Sequence, residues 1–176
     1  MSPQGNSTLG TVFGYNGIIK TFRELNYFRN VTTINSSAFR SDTELTELGF
    51  DNIKAISQYG AYLTAIESWV FEEGLTSLSN IAITTTYKAK YIDLPSTVQS
   101  IGNSNFINTS QGCVVVCRAT SVPTLGSRNT EAGVAAFYVP AASVSAYKAA
   151  QNWSAAAGKI CAIEGTWYET HRSLEP

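Results

Sequence analysis

A chain of 176 residues with a 44% apolar share is large enough to bury one core without disulfide or metal staples, which excludes the small stapled scaffolds. Its charged share is 14%, against a usual share of about 25%, so serine, threonine, asparagine and glycine must carry the surface. Twelve basic and 13 acidic residues without a run of either sign argue against nucleic acid as a partner, and no segment is apolar enough for membrane insertion.

Met1 to Leu9 shows no basic stretch followed by an apolar core, so no secretory signal is expected there. Residues 1–30 read as a lead-in and N-terminal cap, anchored early by Leu9, Val12, Phe13 and Tyr15. Phe22, Leu25 and Phe28 recur every third residue, which suits a short helical face or a first irregular turn, and all three are expected in the core. From residue 31 a pattern takes over: an apolar residue, two spacers, isoleucine, four spacers, phenylalanine. It is met at Val31, Ile34 and Phe39, at Leu63, Ile66 and Phe71, and at Val98, Ile101 and Phe106. Ile53, Ile56 and Ala61 form a degraded copy. Repetition of one short unit is the mark of a solenoid, in which each turn covers the apolar face of its neighbour.

Leu45 and Leu48 are expected to supply a strand after Phe39. The degraded copy and the copy after it are offset by only ten positions, so the path there is expected to be compressed or to form a hairpin. Trp69 is expected to be buried, and the stretch from Trp69 to Ile83 to combine a turn of helix with a strand beginning near Ile81. Tyr87 to Leu94 reads as a strand with Ile92 and Leu94 inward, so alternation directs Tyr87, Tyr91 and Asp93 outward as candidate contact residues. Val114 to Val116 is a continuous apolar run, typical of a strand buried on both faces. Ala135 to Val139 is a further strand, and Pro140 opens a helix through Ala150. Val144 and Tyr147, with Trp153, are placed to lay a lid over the last repeat. After Gly165, Trp167 and Tyr168 precede a polar run; they are expected either to fold back onto the cap helix or to act as aromatic anchors of a docking tail, and both are candidate contact residues.

The words Thr32-Thr33-Ile34-Asn35-Ser36-Ser37-Ala38-Phe39 and Leu94-Pro95-Ser96-Thr97-Val98-Gln99-Ser100-Ile101-Gly102-Asn103-Ser104-Asn105-Phe106 resemble the BspA-type leucine-rich repeat. Val122-Pro123-Thr124-Leu125 and the stretch from Tyr138-Val139-Pro140 to Tyr147-Lys148 are similar to the terminal module that often closes such arrays. The likeness covers most of residues 20–164. It implies a mostly β fold with short helices, a short irregular leucine-rich repeat solenoid with a C-terminal helical cap: array 31–121, capping module 122–165, tail 166–176. The family occurs on surface and secreted proteins of anaerobic bacteria and also in phage genes. The resemblance therefore implies a non-enzymatic binding module on a bacterial surface or phage particle, recognising a protein or glycan through its repeat face. The alternative is a structural virion component, a capsid decoration or fibre domain, whose main contacts are to itself as a homo-oligomer or to the shell.

No chemistry emerges from the polar residues. His171 stands alone in the tail, away from any cluster of ligands, so no metal site is expected. No nucleophile elbow and no phosphate loop is present, and no cofactor is expected. The pairs Glu72–Glu73 and Glu44–Glu47 would need a cleft to work as acid and base, whereas a short solenoid presents a ridge, so no catalytic residues are expected. Cys113 and Cys117 share one strand face too far apart for a relaxed disulfide, and with Cys161 they read as small buried residues.

Overall fold

The computed structural model describes residues 9–176 apart from Val12, Thr85, Thr86, Glu131 and Ala132. Val12, an expected anchor of the lead-in, lies outside the described residues. Twelve short strands are found among those described: β1 (Thr21–Phe22), β2 (Thr33–Ile34), β3 (Glu47–Leu48), β4 (Ala55–Ile56), β5 (Ser68–Val70), β6 (Ser77–Leu78), β7 (Tyr91–Leu94), β8 (Ser100–Ile101), β9 (Cys113–Cys117), β10 (Thr124–Leu125), β11 (Val134–Val139) and β12 (Ile160–Ala162). All the pairings are parallel, as a chain that winds in one direction requires. A front ladder runs β2-β4-β6-β8-β10, and a back ladder runs β5-β7-β9-β11-β12, with β1-β3 as a separate pair.

The front ladder stacks Ile34, Ile56, Leu78, Ile101 and Leu125 in one column. A second column, at the phenylalanine position of the repeat, consists of Phe39, Ala61, Ile83 and Phe106, all buried. The third unit is therefore Leu75, Leu78 and Ile83, not Leu63, Ile66 and Phe71. Ile66 and Phe71 are buried but flank β5 on the back ladder. The ten-position offset is simply the passage from one ladder to the other, so the chain is neither compressed nor folded into a hairpin. The strand expected near Ile81 is likewise displaced: Ile81 occupies a turn with φ 55°, and the strands are β5 and β6.

Between turns, asparagine side chains replace the strand bonds. Asn103 N–H donates to Asn80 Oδ1 at 2.8 Å and Ser127 N–H to Asn103 Oδ1 at 2.8 Å. Asn105 N–H donates to Asn129 Oδ1 at 2.7 Å, while Asn105 Oδ1 accepts from Ala82 N–H at 2.9 Å. Stacking this close admits no side chain at the preceding step, where a Cβ on Gly102 would lie 2.5 Å from Asn80 N and one on Gly126 2.4 Å from Asn103 N. Satisfying buried backbone groups in this way is what lets irregular turns be buried at all.

The two ends are closed differently. At the start, Phe13 stacks on Phe39 with ring centroids 5.6 Å apart and packs against Phe22 at 5.0 Å, shielding the first layer. Leu25 is buried in a 3-10 turn over Arg23–Tyr27, but Phe28, which follows that turn, is half exposed, its ring tilted against Phe22 at 6.2 Å. At the other end, the expected continuous helix is broken. Pro140 (ψ 134°) precedes a 3-10 turn over Ala141–Ser143, followed by α1 (Val144–Ala149) and a second 3-10 segment over Trp153–Lys159. Tyr147 and Trp153 are fully buried with their rings edge to face at 4.9 Å, and their polar atoms reach the Ala119 and Pro123 carbonyls at 2.8 and 2.9 Å. Each such ring removes enough apolar surface to contribute about 1.5–3 kcal/mol. A last short helix, α2 (Trp167–Thr170), lies in the tail.

Candidate binding site

On the back ladder, Trp69, Ile92, Val115, Phe137 and Ile160 point into the core in register, so their neighbours Ser68, Val70, Tyr91, Asp93, Val114, Val116 and Tyr138 face outward. Outward does not mean exposed. Tyr91, Asp93 and Val116 have no accessible surface, because the tail after Gly165 crosses this face. Tyr168 lies 5.8 Å from Tyr91 and 4.8 Å from Tyr138 by ring centroids, closing a small apolar cluster with Val116 and Ile163. Tyr91 and Asp93 are thus corrected as surface contacts, and Tyr168 with them. Trp167 borders the same cluster and stacks on the His171 ring at 3.6 Å. The tail folds back, but onto the sheet rather than onto the cap helix, and this cover buries the outward side of β9 at Val116 while Val114 stays half-buried.

A charge network pins the tail. Arg118 grips the Asp93 carboxylate with two hydrogen bonds, Nε to Oδ1 at 2.9 Å and Nη2 to Oδ2 at 2.8 Å, and Nη2 also reaches the Tyr168 carbonyl at 3.0 Å. The Tyr91 hydroxyl donates to Asp93 Oδ2 at 2.7 Å. Burial, reinforced by that carboxylate, pushes the Tyr91 hydroxyl far above the ordinary phenol range. Arg172 closes the array: Nη1 donates to Glu72 at 2.9 Å, Nη2 to the Phe71 carbonyl, and Nε lies 3.5 Å from Asp93 as an ion pair without a hydrogen bond. Two carboxylates and two guanidinium groups balance, which is the condition for burying Asp93.

The other half of this face is open. Strands β3 and β5 belong to neighbouring turns yet are not paired with each other. Between them lies a groove of about 580 Å³, within the usual size of ligand pockets, lined by Leu48, Phe50, Ala65 and Val70 with Glu47, Ser68 and Lys88 at its rim. Its floor is closed by Phe50, whose ring packs on Phe71 at 4.7 Å and on Trp69 at 5.7 Å. The turns are still bonded just before the gap, Ala65 N–H to Leu45 O at 2.9 Å. Glu47 is held by Arg23, and Glu67 by Lys90 at 2.6 Å. Lys88 is exposed and has no ionic partner among the described residues. Next to it Tyr87 is 70% exposed at a bend with φ 60°, so the strand expected from residue 87 begins only at Tyr91.

Of the acidic pairs, Glu47, Glu72 and Glu73 are engaged structurally, whereas Glu44 is simply exposed. Glu72 holds Arg172; Glu73, disfavoured as a charge by partial burial, is nevertheless kept below the usual carboxylate range by the Ser96 N–H and hydroxyl at 3.0 and 2.8 Å. Cys113 and Cys117 are buried, with thiols pushed up to about 12 and about 11 by desolvation. Cys161, expected to be buried, is exposed, since it takes the outward parity on edge strand β12. The groove and the charge network went unseen in the sequence: nothing local marks a missing strand pair, and Asp93 and Arg118 are 25 positions apart.

Comparison with curated protein sequences returns no match. The family model for the BspA type leucine rich repeat region matches six copies over residues 15–128, a stretch that holds every strand of the front ladder and the groove. Repeat modules of this kind are typically surface-associated, generally non-enzymatic and of the protein-binding type. No helix among the described residues is long and apolar enough to cross a membrane. With parallel ladders, stacked apolar columns and that match in agreement, the chain belongs to the BspA-type leucine-rich repeat family.

Proposed function

We propose that the chain is a non-enzymatic recognition module displayed on an extracellular surface, and that it engages a protein partner at the gap between the β1-β3 pair and the first strand of its back ladder, β5. The observation that carries this is the contrast in cover: the tail seals the face over β7 and β9, while the groove between β3 and β5 stays open beside exposed Tyr87 and Lys88. An aromatic next to a lysine that has no ionic partner among the described residues, at the mouth of an apolar groove, is the composition that protein interfaces favour, with anchors at the centre and charge at the rim. Tyr87 and Lys88 are the contact residues of this reading.

Arrays of proteins and of glycans probed with the whole chain test it. Ser68 is outward and exposed in the groove, so Ser68→Arg obstructs the groove at little cost to folding; Thr124→Arg, exposed on the front ladder, is the control. Protein hits abolished by Ser68→Arg and kept by Thr124→Arg are expected. Hits confined to glycans, or protein hits indifferent to Ser68→Arg, would overturn the proposal.

A further inference from the structure

We infer that the groove takes an extended peptide segment carrying an acidic residue, which lies between β3 and β5 as an added strand and sets its carboxylate at Lys88. This rests on the reading of the groove as the protein-binding site. On β5, Glu67 O accepts from Tyr91 N–H and Phe71 N–H donates to Asp93 O, so the backbone groups of residues 67, 69 and 71 point to β7. Alternation then directs the N–H and C=O of Ser68 and Val70 to the groove. On β3, Gly49 N–H donates to Phe22 O, which leaves the Leu48 groups on the opposite edge, also toward the groove. Two strand edges with unpaired groups thus face one space, and an open edge is a template for another chain's backbone.

The interruption is local. Every later junction of the back ladder, from β5 through β12, is paired directly. The apolar floor of Leu48, Phe50 and Val70 suits the alternate side chains of a strand. Charge selects the residue at the rim: Arg23 and Lys90 are already held by carboxylates, and Lys88 alone among the three basic residues around the groove is not. A carboxylate on the incoming segment completes the pattern set by those two pairs.

The test is an amide NMR titration of the full chain with a blocked pentapeptide, Val-Thr-Asp-Thr-Val. The comparators are the same peptide with a central lysine and one N-methylated at its central amides. Saturable shifts at Leu48, Ser68 and Val70 are expected, N-methylation weakening binding at least about fivefold through lost backbone bonds. Lys88→Glu should reverse the preference to the lysine peptide. Absence of shifts at these amides at millimolar peptide, or equal binding of the N-methylated form, overturns the added strand. If that happens while Ser68→Arg still abolishes protein hits, the strand mode alone falls; if Ser68→Arg spares those hits, the protein-binding reading falls too.

Discussion

Two regions of the back face differ: over β7 and β9 it is sealed, and where β5 meets the separate β1-β3 pair it is open. Over β7 and β9, Tyr168 and Arg172 lie on Tyr91, Asp93 and Val116, and a balanced ion network replaces water. At β3 and β5 the tail reaches only Val70, which borders the Tyr168 cluster; Ser68 stays exposed, the strand pairing itself is interrupted, and Lys88 has no ionic partner among the described residues. The contrast teaches that alternation assigns a side, whereas exposure is decided by chain that arrives much later, here 50 positions after Arg118 and 100 after Glu72.

Both regions stand on the same core, so the largest effect comes from removing a column member. Phe106→Ala should cost about 3 to 5 kcal/mol in a chemical melt, since its ring lies buried 6.2 Å from that of Phe137. Asp93→Ala strikes only the sealed region, and leaves Arg118 and Arg172 uncompensated. The expected loss is about 3 kcal/mol, the lower end for a broken buried pair because both guanidinium groups keep some contact with water. Truncation after Gly165 should cost less, about 2 kcal/mol, because it exposes Tyr91 and Val116 but lets water reach Asp93 and Arg118 together. Ser68→Arg, in the open region, should change stability by less than about 0.5 kcal/mol while abolishing binding. If truncation costs nothing, or Ser68→Arg unfolds the chain, the division into sealed and open regions is wrong. The smallest effect concerns the thiols. A mass spectrum of the native chain after brief alkylation should show one adduct, at Cys161, with Cys113 and Cys117 reacting only on unfolding.

Much of the solenoid was legible because its columns obey a fixed local spacing. Val31, Ile34 and Phe39 and Val98, Ile101 and Phe106 lie in the columns where the pattern puts them, and degraded Ile53, Ile56 and Ala61 does too. Leu63, Ile66 and Phe71 misled for a physical reason: the back ladder also needs apolar residues at short spacing, and hydrophobicity alone does not say which ladder a residue joins. The genuine unit at Leu75, Leu78 and Ile83 was hidden because leucine and isoleucine fill the same volume that the pattern reserved for isoleucine and phenylalanine. Of the site, the sequence disclosed only parity and the exposed Tyr87. That Tyr91 and Asp93 are covered depends on contacts between distant segments, and the groove depends on a pairing that does not occur; neither leaves a periodic trace.

The gap between β3 and β5 is tested most directly by residue-resolved amide hydrogen exchange on the intact chain. The amides of Leu48, Ser68 and Val70 should exchange faster than those of Ile92 and Val115 by roughly two orders of magnitude or more, as unpaired edge groups do beside a covered sheet. Equal protection across all five would mean that β3 and β5 are bonded in solution and that the groove does not exist.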